Sequence, residues 1–132
     1  MSYFYKSLDA VTHSFEVDKL LGEHKIFVMA SFYEGLNLSV LEAMAARCLV
    51  VGSRTIGVSE LIEDGVNGFD FPMADEHKLA DILQTVLSDI ASCQGLADAA
   101  QQQVLQRYSK DNVSSEYMHL FQSLMTQQKL LR

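Results

Sequence analysis

Two glutamates, Glu34 and Glu42, stand with seven residues between them and enclose the segment Gly35-Leu36-Asn37-Leu38-Ser39. The segment follows an apolar run ending at Ala30 and leads into good helix formers, so it reads as a strand-to-helix loop. Backbone N–H groups at a helix start have no intrahelical partner and lie at the positive end of the helix dipole, which suits an anion such as a diphosphate. Two carboxylates beside that anion would repel it unless they accept hydrogen bonds from neutral donors. Sugar and ribose hydroxyls are such donors.

A loop of this kind acts only if a sheet holds it. Residues 10–15 and 25–30 are short β-branched and aromatic runs that predict strands, and 17–23 between them has helical spacing. Residues 39–46 predict a helix, with Ser39-Val40-Leu41-Glu42 fitting a capping box and Glu42 in the first turn. Residues 48–51 are wholly apolar, as expected of a strand covered on both faces. A short helix over 57–62, a turn over 64–68 and a strand over 69–72 follow. Asp75 can cap a helix carrying Leu79, Ile82, Leu83, Val86, Leu87 and Ile90 and ending near Gly95. Further helices are expected over about 96–108 and 112–124, with fraying over 127–132. Strands alternating with helices predict an α/β fold, a partial Rossmann-like parallel sheet with flanking helices. In such sheets the ligand crevice lies beyond the carboxyl ends of the strands, where the Glu34 loop falls.

Composition narrows the class. At 132 residues, 48% apolar and 20% charged, the chain reads as one globular domain. Ten basic against seventeen acidic side chains give a formal charge of −7, which provides no footprint for nucleic acid or an anionic membrane. Two cysteines, Cys48 and Cys93, fit a reducing compartment, and the cytoplasm is the expected location. No window approaches a membrane span, and the N-terminus has no secretory pattern. His13, His24, His77 and His119 show no ligand spacing, so no metal is expected.

The pattern Glu34-Gly35-x-x-Leu38-x-x-x-Glu42-Ala43-Met44-Ala45, followed by Val50-Val51, Gly57-x-x-Glu60-Leu61-Ile62, Asp64-Gly65-x-Asn67-Gly68 and Pro72, resembles the C-terminal lobe of retaining glycosyltransferases of family 4, which have the GT-B architecture. The match runs over about 17–117. The resemblance implies transfer of a sugar from a nucleotide-sugar donor with retained configuration, with the donor as substrate and no further cofactor or metal. It assigns Glu34 to donor-sugar hydroxyls and Glu42 to the nucleotide ribose. Gly35, Leu36, Asn37, Leu38 and Ser39 then face sugar and diphosphate through their backbone, and Ser14, Phe15 and Val17 lie by the nucleobase. No catalytic residue is assigned.

Departures from the family pattern are equally specific. Asn37 and Ser39 replace a common Gly and Pro, and Arg47 and Leu49 replace the Gly and Pro after Ala-Met-Ala. Asn tolerates left-handed backbone and Ser caps helices, so the loop is compatible with both changes. The family's Arg and Lys diphosphate clamp and its N-terminal acceptor lobe have no counterpart here. The chain is therefore expected to be a fragment lacking that lobe, a subunit completed by an acceptor-lobe chain, or a degenerate protein. A non-catalytic sugar-nucleotide-binding or assembly subunit for another transferase is the alternative function. Glu42 also has a purely structural role open to it, as the capping-box partner of Ser39. Glu60 reads as a local cap or pair, Cys48 as a small packed hydrophobe, and Leu120, Phe121 and Leu124 as a core face or a face toward a missing neighbour.

Overall fold

The computed structural model describes residues 17–130, with side-chain surroundings for 17–127. The strand expected over 10–15, with Ser14 and Phe15, lies outside the described residues. Those described form α1 (Val17–Glu23), β1 (Ile26–Met29), α2 (Leu38–Ala45), β2 (Leu49–Ser53), α3 (Ile56–Ser59), β3 (Phe69–Phe71), α4 (Glu76–Ser88), α5 (Gln94–Arg107) and α6 (Lys110–Leu130).

The strands make one parallel sheet in the order β1-β2-β3, with Ile26 opposite Leu49, Met29 opposite Gly52, and Ser53 opposite Phe71. All five residues of β2 are buried, and 49–51 form a continuous apolar run because helices cover both faces of the central strand. Alternate side chains point to opposite faces, so Val50 joins Val40, Met44, Val58 and Ala100 in one core while Leu49 and Val51 join Phe71, Ile82 and Val86 in the other. The first core lies under α2, α3 and α5, the second under α4. A partial parallel α/β sheet with flanking helices is therefore the observed architecture.

Several helix ends differ from expectation. The α2 cap is Asn37 rather than Ser39: the Asn37 side-chain oxygen accepts from the Val40 N–H at 3.1 Å, with the cap residue extended at φ −91°. Ser39 is thus the second helical residue, no Ser39–Glu42 capping box forms, and Glu42 sits in the second turn. Helix α4 stops at Ser88 rather than near Gly95. Asp89 accepts from the Ser92 N–H at 3.2 Å and its carbonyl from the Ser92 hydroxyl at 2.8 Å, a local turn that competes with the helix. Leu87, although within the helix, faces solvent rather than joining the apolar stripe. Helix α6 starts earlier than predicted because the Ser109 hydroxyl accepts from the Asn112 N–H.

Arg47 takes the left-handed conformation, φ 63°, just past α2. Arg47 N–H donates to the Met44 carbonyl at 3.1 Å and Cys48 N–H to the Ala43 carbonyl at 2.9 Å, the paired bonds of a Schellman motif. Glycine suits this place, and an arginine costs about 1 kcal/mol of backbone strain there. Its guanidinium pairs with Asp98 on α5, which pulls the Asp98 carboxyl below the usual range. Burial raises the Cys48 thiol, whose S–H donates to the carbonyls of Leu21 and His24 at 3.2 and 3.3 Å, so it packs as a small apolar group.

Candidate functional site

The loop from Ala30 to Asn37 leaves the carboxyl end of β1 and is fastened at three points. Ser53, last residue of β2 and buried, accepts from the Ser31 N–H at 3.0 Å and donates to the Ser31 carbonyl at 2.6 Å. The Glu34 carbonyl accepts from the Gly57 N–H at 3.2 Å, in the helix start that the Thr55 hydroxyl caps. Gly57 lies so close to the loop that a β-carbon there would fall 1.5 Å from the Gly35 carbonyl oxygen. Asn37 then closes the loop as the α2 cap. With Val40 N–H held by Asn37 and Leu41 N–H by the Asn37 carbonyl at 3.2 Å, helix geometry leaves the Leu38 and Ser39 amides without an intrahelical partner.

Replacing Ser53 with Ala removes the hydroxyl that bonds both the N–H and the carbonyl of half-buried Ser31. Chemical denaturation is expected to show a loss of about 1–3 kcal/mol, since an unmade buried hydrogen bond carries its desolvation penalty. A loss below about 0.5 kcal/mol, the usual scale of surface changes, would show that Ser31 is held by other means.

The sequence-predicted residues among those described have these places. Glu34 is half-buried in the loop, Gly35, Leu36, Leu38 and Ser39 are exposed, and Asn37 is 4% exposed. Glu42 is exposed in the second turn of α2. Val17 opens α1, which packs against α2, while Ser14 and Phe15 lie outside the described residues. The Glu34-Gly35 and Gly57-x-x-Glu60 elements of the sequence meet through Gly57, and Glu60 itself is the exposed cap at the end of α3. Asn67, from the Asn-Gly element, is buried and structural: its amide donates to the Leu61 carbonyl at 2.9 Å and its oxygen accepts from the Glu63 N–H at 2.7 Å. Ser31, Ser53 and Thr55 were not marked by sequence. Their one signal was position, at the ends of apolar strands.

The crevice has two further features. A pocket of about 180 Å³ opens at the carboxyl ends of all three strands, lined by Ala30, Ser31, Ser53, Phe71, Asp75 and Leu79 among others. The cation at the carboxyl end of β2, Arg54, is engaged by Asp70, with Nε 3.1 and 3.2 Å from the two carboxylate oxygens. Among the described residues no three His, Cys, Asp or Glu side chains gather in a way that could hold a metal, and no helix is long and apolar enough to cross a membrane.

An open parallel sheet with an anion-suited loop after β1 is the layout of part of a GT-B glycosyltransferase lobe, and known proteins place it there. The sequence pattern of the family described as glycosyl transferases group 1 matches residues 6–89, so the chain belongs to that family. It is 33% identical over 107 residues to poly(ribitol-phosphate) alpha-N-acetylglucosaminyltransferase of Staphylococcus aureus, covering 80% of this chain and 22% of that protein. The crystal structure of Anabaena HepE in complex with UDP-glucose superposes with a TM-score of 0.77 at 26% identity, over 82% of this chain and 30% of that one. The C-terminal domain of a glycosyl transferase group 1 family protein from Francisella tularensis gives 0.69 at 29% identity, over 76% and 51%. The chain thus spans 22 and 27% of the length of two of the curated relatives it matches.

Proposed function

We propose that this chain is the donor-side part of a retaining glycosyltransferase of family 4, binding a nucleotide sugar and depending on an acceptor lobe for transfer. The observation that carries the reading is the Glu34–Ser39 loop, fastened by Ser53 and Gly57 over the carboxyl ends of parallel strands and feeding directly into α2. The Leu38 and Ser39 amides offer donors to a diphosphate at the positive end of α2. Glu34 beside them takes donor-sugar hydroxyls, and Glu42 one turn further takes the ribose. Val17, with Ser14 and Phe15 before it, is assigned to the nucleobase side. The HepE complex with UDP-glucose supports a uridine diphosphate sugar as the first donor to test.

Calorimetric titration of the full chain with uridine, guanosine and adenosine diphosphates and their glucose conjugates tests the binding half. Saturable binding of at least one is expected, and binding of none overturns the donor-site reading for this chain. Incubation with donor and an acceptor panel tests the other half. No more than a trace of transfer is expected from the chain alone, and multiple turnovers would show that it needs no acceptor lobe.

A further inference from the structure

The pocket of about 180 Å³ at the carboxyl ends of the three strands has no part in the chemistry of the Glu34–Ser39 loop, yet its walls are mixed in a particular way. Phe32, Phe71 and Leu79 supply apolar surface, and Phe32 is 76% exposed, an aromatic ring left open beside the cavity. Ser31, Asp75 and Glu76 supply polar atoms. The Ser31 hydroxyl donates to the Met29 sulfur at 3.2 Å, a weak acceptor that a ligand oxygen can replace. The start of α4 opens here too, but it does not suit an anion. Asp75 caps it, accepting from the Lys78 N–H at 2.8 Å, Glu76 adds a second carboxylate in the first turn, and the described lining contains no Lys or Arg.

Given the donor site proposed above, we infer that this pocket is an acceptor subsite, holding one uncharged sugar ring of the molecule to be glycosylated. Size selects a single ring, since an apolar cavity of about 150 Å³ already accepts one six-membered carbon ring. Chemistry selects a sugar. A pyranose offers an apolar C–H face for Phe32 and Phe71 to cover, and hydroxyls around its edge that donate to Asp75 and Glu76. A phosphate or a uronate would instead meet two carboxylates with no cation to offset them. Position selects the acceptor. Phe32 stands two residues before Glu34, so at most about 7 Å of chain separates the pocket from the side chain assigned to the donor sugar. The Ser31–Ser53 contact that fastens the donor loop is also part of the pocket wall, so the two subsites share one support. The donor-side chain thereby takes part in choosing the acceptor.

Nuclear magnetic resonance titration of the isotope-labelled full chain with methyl α-D-glucopyranoside at millimolar concentrations, without nucleotide, reads the pocket directly. Saturable shifts are expected at the amides of Ser31, Phe32, Glu76 and Leu79. Phe32→Ala and Glu76→Gln are each expected to weaken the glycoside about ten-fold. Both change exposed residues, and thermal unfolding checks that each folds as the wild type does. The corresponding methyl glucuronide, with a carboxylate on the same ring, is expected to bind at least about ten-fold more weakly than the glucoside. Shifts confined to residues 35–39, no saturable response, or wild-type affinity in both variants overturns the subsite. Cyclohexanol binding as tightly as the glycoside also overturns it, because the cavity would then be selecting apolar surface alone. Uridine diphosphate titrated separately keeps the two sites distinct. Nucleotide binding without a glycoside response overturns the acceptor subsite alone, and a glycoside response in a chain that binds no nucleotide overturns the acceptor role together with the donor site.

Discussion

Gly57→Ala is expected to lower the unfolding free energy by about 3 kcal/mol, the upper part of the range for overpacking a filled site. The new β-carbon would lie 1.5 Å from the Gly35 carbonyl oxygen and 2.6 Å from its carbon, and both are backbone atoms that no rotamer change can move aside. Either the loop lifts from α3, breaking the 3.2 Å bond from Gly57 N–H to the Glu34 carbonyl, or α3 shifts within the core that Val58 helps to fill. Gly35 provides the control from the other side of the same contact. A β-carbon there meets nothing within 4 Å, and Gly65 is the one glycine with positive φ among the described residues, so Gly35→Ala is expected within about 0.5 kcal/mol of wild type. Urea unfolding of the two variants measures the difference. Equal stabilities would mean that the loop yields freely and that Gly57 does not hold it. Amide exchange adds a local readout, since in Gly57→Ala the loop amides should exchange faster than those of β2.

The sheet was legible because its central strand writes burial on both faces into an unbroken apolar run, 49–51, and because helix formers separate it from its neighbours. Helix ends were less legible. Asn37 and Ser39 are both good caps, and local sequence does not choose between them. Tertiary packing does: a cap at 37 turns Val40, Ala43 and Met44 into the core together. Arg47 stands where the family pattern has a glycine, and φ there is 63°, the left-handed region in which glycine is at ease. The candidate loop was legible in residue type, while its fastening was not. Ser31 and Ser53 are 22 residues apart, and they meet only because β1 and β2 pair with Met29 opposite Gly52. Gly57 reaches Gly35 across the same crossover. Such contacts belong to strand register, which spacing along the chain does not display. Leu120, Phe121 and Leu124 on α6, all exposed, show the converse, for an apolar period announces that a face needs covering without saying by what.

For the proposed nucleotide site, Glu42→Gln is expected to weaken diphosphate-nucleotide binding by about ten- to a hundred-fold, while Glu60→Gln leaves it near the wild-type value. A hydrogen bond to a charged acceptor contributes roughly 1.5–3 kcal/mol, which sets that range. The fold makes the test cleaner than the sequence promised. Had Glu42 closed a capping box with Ser39, its removal would have loosened the helix start and confused binding with stability. Asn37 performs the capping, and Glu42 stands exposed one turn further along. Glu42→Gln should therefore unfold at the wild-type temperature, and any loss of affinity then belongs to the carboxylate. Glu60, the exposed end of α3, carries the same formal charge and controls for net charge alone. Calorimetric titration of the three proteins with uridine diphosphate separates the cases. Parallel losses in both variants would assign the effect to charge, and unchanged affinity in Glu42→Gln would remove Glu42 from the ribose.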